Sequence, residues 1–250
     1  MRLRDWLREG PVHIRLSSGF FGFYAHAGVM RALEEEQISI ASLGGSSSGA
    51  LTAGLYAAGL RGQAFETELT SLRRDDFWDP GIGLGLLRGQ KLRTLLESKA
   101  PVKHIERCTI PLAVSVFDML SLKTRVLREG PLVPAIQASA ALPGMFQPVW
   151  FKRRPMLDGG ILDRTSLETA PPPGARLLFH HLTPSKRWHR AGAAVNFPPQ
   201  RPGMVRLSLD DLPRINPYRL ERGAQVFERA VAATRAALDL PLLNVMRCSA

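Results

Sequence analysis

Only two cysteines, Cys108 and Cys248, occur in 250 residues. Far apart, they frame neither a disulfide scaffold nor a thiolate metal site. A reducing, intracellular setting is the expectation that follows. No window approaches the ~18 consecutive apolar residues of a membrane-spanning helix. Residues 1–10 are charged and hold no apolar leader core, so the location expected is cytoplasmic. No His, Cys, Asp or Glu group has ligand spacing, so no metal and no other cofactor is expected. Internal repeats are absent, and low complexity is confined to Pro171-Pro172-Pro173.

What is present is ordinary in bulk and skewed in charge. At 45% hydrophobic residues the chain can bury a real core. Lys and Arg number 33 against 22 Asp and Glu, a formal charge of +11. Such a surface favours polyanions, either nucleic acid or the anionic face of a bilayer. No nucleic-acid reader motif accompanies the charge, so no nucleic-acid partner is expected. The basic clusters Lys152-Arg153-Arg154 and Lys186-Arg187-Trp188-His189-Arg190 read as solvated loops that could also meet headgroups.

Strand signals fall at 12–16, 38–43, 110–117, 124–127, 149–152, 175–180 and 205–209. Helical signals fall at 24–36, 50–58, 65–72, 90–97, 132–139 and 218–238. This alternation predicts an α/β fold with a mainly parallel sheet covered on both faces. Both sides of the triple proline carry the same signals, which argues for one domain over 1–250, its motifs lying at about 12–163. Residues 77–89 are apolar but broken by Gly81, Gly83 and Gly85, as in a lid, a lipid-contact loop or a loop folded over the core.

The chemistry gathers at Gly45-Ser46-Ser47-Ser48-Gly49, between an apolar run and a small-residue helix. Strand, glycine-flanked serine and helix make the layout of a nucleophile elbow. Glycines two residues away on each side let the turn close, and only Ser47 of the three serines has both. The helix N-terminus behind it offers positive potential to a developing oxyanion. A plain Gly/Ser turn has the same composition. An α/β-hydrolase triad could draw on Asp158 with His180 or His181, yet only one strand–helix unit precedes the elbow, too early for that fold. The turn Ser17-Ser18-Gly19-Phe20-Phe21-Gly22 also joins strand to helix, so its N–H groups can face an anion. As a dinucleotide site it lacks the first glycine and an acidic partner, since residues 38–62 contain no Asp or Glu. His26, one turn into the first helix, suits a satisfied buried histidine better than a partner of Ser47.

These two turns, followed by Gln137 to Phe146 and then by Met156-Leu157-Asp158-Gly159-Gly160, resemble the patatin-like phospholipase family in order and separation. The resemblance implies a three-layer αβα sandwich with a mainly parallel central sheet. It implies Ser47 as nucleophile within the Gly45–Gly49 elbow, and Asp158 of the Asp158-Gly159-Gly160 motif as base. It assigns the oxyanion hole to the backbone N–H groups of Ser18, Gly19 and Phe20. The family's turn usually carries three glycines and a basic residue before the last. Here Ser17 and Ser18 stand for two glycines and Phe21 for the basic residue.

The function implied is hydrolysis of phospholipid, lysophospholipid or related acyl-lipid esters through an acyl-enzyme, with peripheral contact to an anionic membrane. The altered turn motivates the competing reading, a catalytically impaired relative that binds lipid or membrane surfaces.

Overall fold

The computed structural model describes residues 1–183, 199–242 and 248–249. In chain order the elements are α1 (Leu3–Arg8), β1 (Val12–Leu16), α2 (Phe23–Glu35), β2 (Ile40–Ser46), α3 (Ser48–Ala58) and α4 (Gly62–Thr70). Next come β3 (Gly85–Leu87), α5 (Gln90–Lys99), β4 (Leu112–Asp118), β5 (Lys123–Leu127) and α6 (Leu132–Ser139). β6 (Gly144–Phe146), β7 (Val149–Phe151), β8 (Arg154–Asp158), β9 (Leu177–His181), β10 (Met204–Asp210), α7 (Gly223–Leu238) and β11 (Cys248–Ser249) follow.

Nine strands form one sheet in the order β11-β10-β9-β1-β2-β4-β8-β7, with β5 also paired to β4. From β11 to β4 every neighbour is parallel, whereas β5, β7 and β8 add antiparallel pairs at one side. Strands on both sides of the triple proline share this sheet. The result is an α/β fold with a mostly parallel central sheet and flanking helices, as the alternating signals imply. Ile14, Leu16, Leu43, Val114, Val116, Leu178 and Leu207 are wholly covered and form the sheet's share of the core. Each such side chain contributes about 1.5–3 kcal/mol on burial.

Strand β4 acts as the ruler of the molecule. Its first half pairs with β2, Ser46 facing Ser115, and its second half pairs with β8, Val116 facing Asp158. Ser115 and Val116 also face Val126 and Arg125 of β5, so β5 takes the opposite edge. β2 and β8 therefore share one edge of β4, the second beginning where the first turns away. Asp118 closes this end. It is fully covered and accepts from Arg125 of β5 at 2.6 Å and Arg154 of β8 at 2.7 Å. Burial alone would raise its pKa, but hydrogen bonds led by Arg154 hold it below the usual carboxylate range.

The helices pack through small residues. A Cβ on Gly28 of α2 would lie 2.6 Å from the Phe227 carbonyl and 2.7 Å from the Ala230 Cβ of α7. One on Gly54 of α3 would meet Ile136 of α6 at 2.4 Å.

Several boundaries differ from the sequence expectation. The second strand runs over Ile40–Ser46 and not 38–43, because hydrogen-bonding strands on both edges carry its glycines. The final helix starts at Gly223 and not at 218: Asn216 caps the preceding turn, accepting from the Tyr218 N–H at 2.9 Å. Residues 1–10 contain a helix with Leu3, Trp6 and Leu7 buried, too short to show as a period. Within 77–89, β3 pairs in parallel with β6 while Ile82, Leu84 and Leu86 face solvent. The cluster Lys152-Arg153-Arg154 is the β7–β8 turn, with Lys152 and Arg153 at φ 45° and 65°. Lys152 pairs with Glu129 at 3.0 Å. The cluster at 186–190 lies outside the described residues.

Gly28→Ala is expected to destabilise the chain by about 1–3 kcal/mol in urea unfolding, since the α2–α7 contact has no room for a methyl group. Gly10→Ala, with nothing within 4 Å of its Cβ position, should stay within about 0.5 kcal/mol. Equal effects would show that the helix pair relaxes freely.

Candidate active site

Ser47 sits between β2 and α3 at φ 55° and ψ −120°, a sparsely populated backbone region. Holding a non-glycine residue there costs about 1–3 kcal/mol, so the surroundings must enforce it. They do so by close approach. A Cβ on Gly45 would fall 2.2 Å from the Gly49 carbonyl carbon, and one on Gly49 2.1 Å from the Leu16 carbonyl oxygen. Both glycines are required by contact, with β1 forming the floor. The Ser47 N–H donates to Ser139 Oγ at 2.9 Å, and Ser139 Oγ–H donates to the Ser115 carbonyl at 2.6 Å.

The Ser47 hydroxyl donates to Asp158 Oδ2 at 2.6 Å. The sheet register sets up this meeting, since Ser46 and Asp158 occupy adjacent rungs of β4. Asp158 Oδ1 accepts the Gly160 N–H at 2.7 Å, and the Asp158 N–H donates to the Ala141 carbonyl at 3.0 Å. Within the run 138–146, Ser139 thus holds the serine and Ala141 holds the aspartate. A Cβ on Gly159 would lie 2.2 Å from the Ser115 carbonyl, and one on Gly160 2.3 Å from Ser18 Oγ. The two glycines after Asp158 admit β4 on one side and the 17–22 turn on the other.

Asp158 is almost wholly buried, and desolvation pushes its pKa up to about 6. The hydrogen bonds from Ser47 and Gly160 and the charge of Arg164 oppose that rise without cancelling it. The Arg164 side chain is itself largely covered, and its Nε has no partner among the described residues.

The 17–22 turn lies against this pair. Neither Ser17 nor Ser18 has positive φ, so the two serines fit where glycines were expected. The Gly19 and Phe20 N–H groups hold no backbone partner among the described residues. Ser18 is different: its N–H donates to the Arg164 carbonyl at 2.7 Å, so it is not free to serve as an oxyanion donor. That part of the expectation is corrected. Phe20 is exposed, Phe21 half-buried at φ 53°, and Phe23 and Tyr24 are buried.

His26 is fully buried and bonded to His180 and to the Ser17 carbonyl, so it does not approach Ser47. His180 and His181 are equally buried and form no triad with Asp158. Ser139 is the residue that sequence reasoning left without a role. Its contact joins positions 92 apart in the chain, and only its place in the run before Asp158 hinted at it. Among the described residues no group of three or more His, Cys, Asp or Glu is arranged to hold a metal. No helix among them is long and apolar enough to cross a membrane.

Fold and site together define an α/β protein with a serine–carboxylate pair where β2 and β8 meet along β4. Residues 15–171 match the family model described as patatin-like phospholipase, and the chain belongs to that family. An uncharacterised NTE family protein of Mycobacterium tuberculosis is 37% identical over 158 residues, covering 61% of this chain and 43% of its own length. The lysophospholipase NTE1 of Mycosarcoma maydis is 29% identical over 164 residues, 62% of this chain and 9% of the relative. The chain thus spans less than half the length of these relatives. Among solved structures, VipD from Legionella pneumophila shares the fold. Its TM-score is 0.52 at 14% identity, over 92% of this chain and 67% of that one.

A stability measurement isolates the buried carboxyl. Asp158 titrates near pH 6 when folded and in the ordinary carboxylate range when unfolded. Its neutral form is accommodated below that range, and stability is lost as the pH rises through about 6. Asp158→Asn should therefore be more stable than wild type at pH 8, by about 3 kcal/mol, with the gap closing towards pH 4. Urea unfolding across pH checks this, and a pH-independent gap would contradict it.

Proposed function

We propose that the chain is a serine acyl hydrolase that cleaves carboxylic esters of phospholipids, lysophospholipids or related acyl lipids. One observation carries the reading: the 2.6 Å hydrogen bond from the Ser47 hydroxyl to a desolvated carboxylate, Asp158. A hydroxyl is a weak nucleophile and needs a base in direct reach. Asp158 takes the proton as Ser47 Oγ attacks the ester carbonyl. The oxyanion forms at the Gly19 and Phe20 N–H groups near the N-terminus of α3. Asp158–H then protonates the departing alkoxide, leaving Ser47 acylated. Water, deprotonated by Asp158, attacks the acyl-enzyme, and the proton returns to Ser47 as the acid leaves. A base titrating near 6 suits work at neutral pH better than an ordinary aspartate does.

The surroundings support a lipid substrate. Phe20, Leu142, Ile161 and Leu162 are exposed on the very segments that carry the oxyanion turn and Asp158. Leu142 directly follows Ala141, and Gln147 donates to the Ile82 carbonyl at 2.9 Å, which ties the exposed loop of Ile82 and Leu84 to the same rim. An apolar rim on a chain of net charge +11 suits an anionic bilayer. The Arg164 guanidinium, whose charge acts on Asp158, offers a cation to a headgroup phosphate. A second reading, a lipid-binding relative without turnover, draws on the Ser18 N–H already engaged by Arg164.

Ser47→Ala is expected to abolish both hydrolysis of a p-nitrophenyl acyl ester and labelling by a fluorophosphonate. Wild-type kcat/KM should rise with pH and reach half its plateau near pH 6. Folded wild type that sediments with vesicles yet neither labels nor hydrolyses would favour the second reading. Replacing Ile82 and Leu84 together by Asp should weaken sedimentation with anionic vesicles at least several-fold while sparing hydrolysis of the soluble ester. Unchanged sedimentation would exclude that loop from the lipid contact.

A further inference from the structure

The peptide joining Ser17 to Ser18 is held at both of its polar ends. Its carbonyl accepts from His26 Nε2 at 2.8 Å, and its N–H donates to the Arg164 carbonyl at 2.7 Å. Ser17 is gripped further by strand β9 and its exit. The Ser17 N–H donates to the His180 carbonyl at 3.2 Å, and Ser17 Oγ accepts the Leu182 N–H at 2.9 Å. The next two peptides along the chain carry the Gly19 and Phe20 N–H groups.

The protons in this network are fixed by elimination. A carbonyl oxygen only accepts, so His26 Nε2 carries hydrogen. The Nδ1 of neutral His26 is then an acceptor, and its 2.8 Å contact with His180 Nδ1 requires His180 to donate. His180 is therefore the Nδ1–H tautomer with a bare Nε2. That atom is buried and without a partner among the described residues. The rings stand edge to face with centroids 4.7 Å apart. A second proton on either ring would set N–H against N–H, or charge a site sealed from water. Desolvation lowers the His26 pKa to about 3 and the His180 pKa well below its usual value, and His181 adds to both effects.

We propose that His26 is a positioning residue for acyl transfer. Through the chain His180 Nδ1–H to His26, and His26 Nε2–H to the Ser17 carbonyl, it fixes the peptide plane from which the Gly19 and Phe20 N–H donors extend. This rests on the assignment of those donors to the oxyanion. An apolar side chain of similar size would fill the space but leave the Ser17 carbonyl unpaired. The peptide could then rotate about its remaining contact with Arg164. Donors displaced by about 1 Å from a developing oxyanion lose on the order of 10²-fold in rate.

The test compares His26→Gln, His26→Leu and His26→Asn with wild type on a soluble acyl ester. A Gln amide can donate to Ser17 and accept from His180, so His26→Gln should keep kcat within about threefold. His26→Leu should lower kcat by about 10–100-fold, with KM and the pH midpoint near 6 retained. Retention of both separates a displaced oxyanion turn from a general collapse around Asp158. If His26→Leu does not fold, the shorter His26→Asn, which falls short of the Ser17 carbonyl, takes its place with the same expectation. Nitrogen NMR of the wild-type histidines should show His26 protonated on Nε2 and His180 on Nδ1. A folded Leu or Asn variant with kcat within twofold of wild type, a shifted pH midpoint, or His180 protonated on Nε2 would each overturn the proposal. A wild type inert to substrate and to fluorophosphonate would instead overturn the acyl-hydrolase reading beneath it.

Discussion

Ser46 and Asp158 come from strands that never pair with each other, yet they occupy consecutive rungs on one edge of β4. β2 pairs along Leu112–Ser115 and turns off at Ser47, and β8 runs down to Val116 in the opposite direction. Backbone register thereby brings the end of one strand close to the end of the other, where Ser139 and Ala141 hold the two residues in place. Register is a stiff constraint, because a one-residue slip would carry every side chain of the strand to the opposite face. The 2.6 Å contact between Ser47 and Asp158 inherits that stiffness. Asp118 secures it from the far side by joining β5 and β8 through Arg125 and Arg154.

The two carboxylates of this region show how environment divides labour between like groups. Asp118 is closed to solvent like Asp158 but lies nearer the surface, and two guanidinium groups and the Leu120 and Ser121 N–H groups surround it, so it stays ionised. Asp158 has a hydroxyl, one backbone N–H and the charge of Arg164 without an ion pair, so desolvation prevails. The first is a clamp and the second can exchange a proton near neutrality. Moving an arginine into contact with Asp158 would convert it towards the first kind.

Much of this was legible in the residues alone. β1 and α6 have the very limits that the apolar runs suggest, and two residues that the sequence singled out, Ser47 and Asp158, are in direct contact in the fold. The missed parts share a physical cause. β2 ends in Leu43-Gly44-Gly45-Ser46, a composition that forms a strand only because β1 and β4 lie on both sides. β8 contains Pro155 and gives no strand signal in the sequence, but hydrogen bonds to β4 and β7 sustain it. Ser139 and Ala141 act through contacts that cross long stretches of chain, which no local period encodes. The Ser18 N–H could not be excluded as a donor from sequence, because its partner is the carbonyl of Arg164, far along the chain in a loop.

The departure from the family's glycine pattern also changes meaning once the turn is seen. Glycine is indispensable where φ is positive or where another atom leaves no room for a Cβ. Ser17 and Ser18 have no positive φ, and Ser17 uses its hydroxyl to accept from Leu182. At Gly19 and Gly22 a Cβ would lie 2.5 Å and 2.0 Å from Leu182 Cδ1, the tip of a side chain that would have to move aside. The glycines that survive are those pressed by Leu182, and the serines stand where the peptide is anchored by hydrogen bonds. Anchoring consumes the Ser18 N–H and leaves the next two donors open.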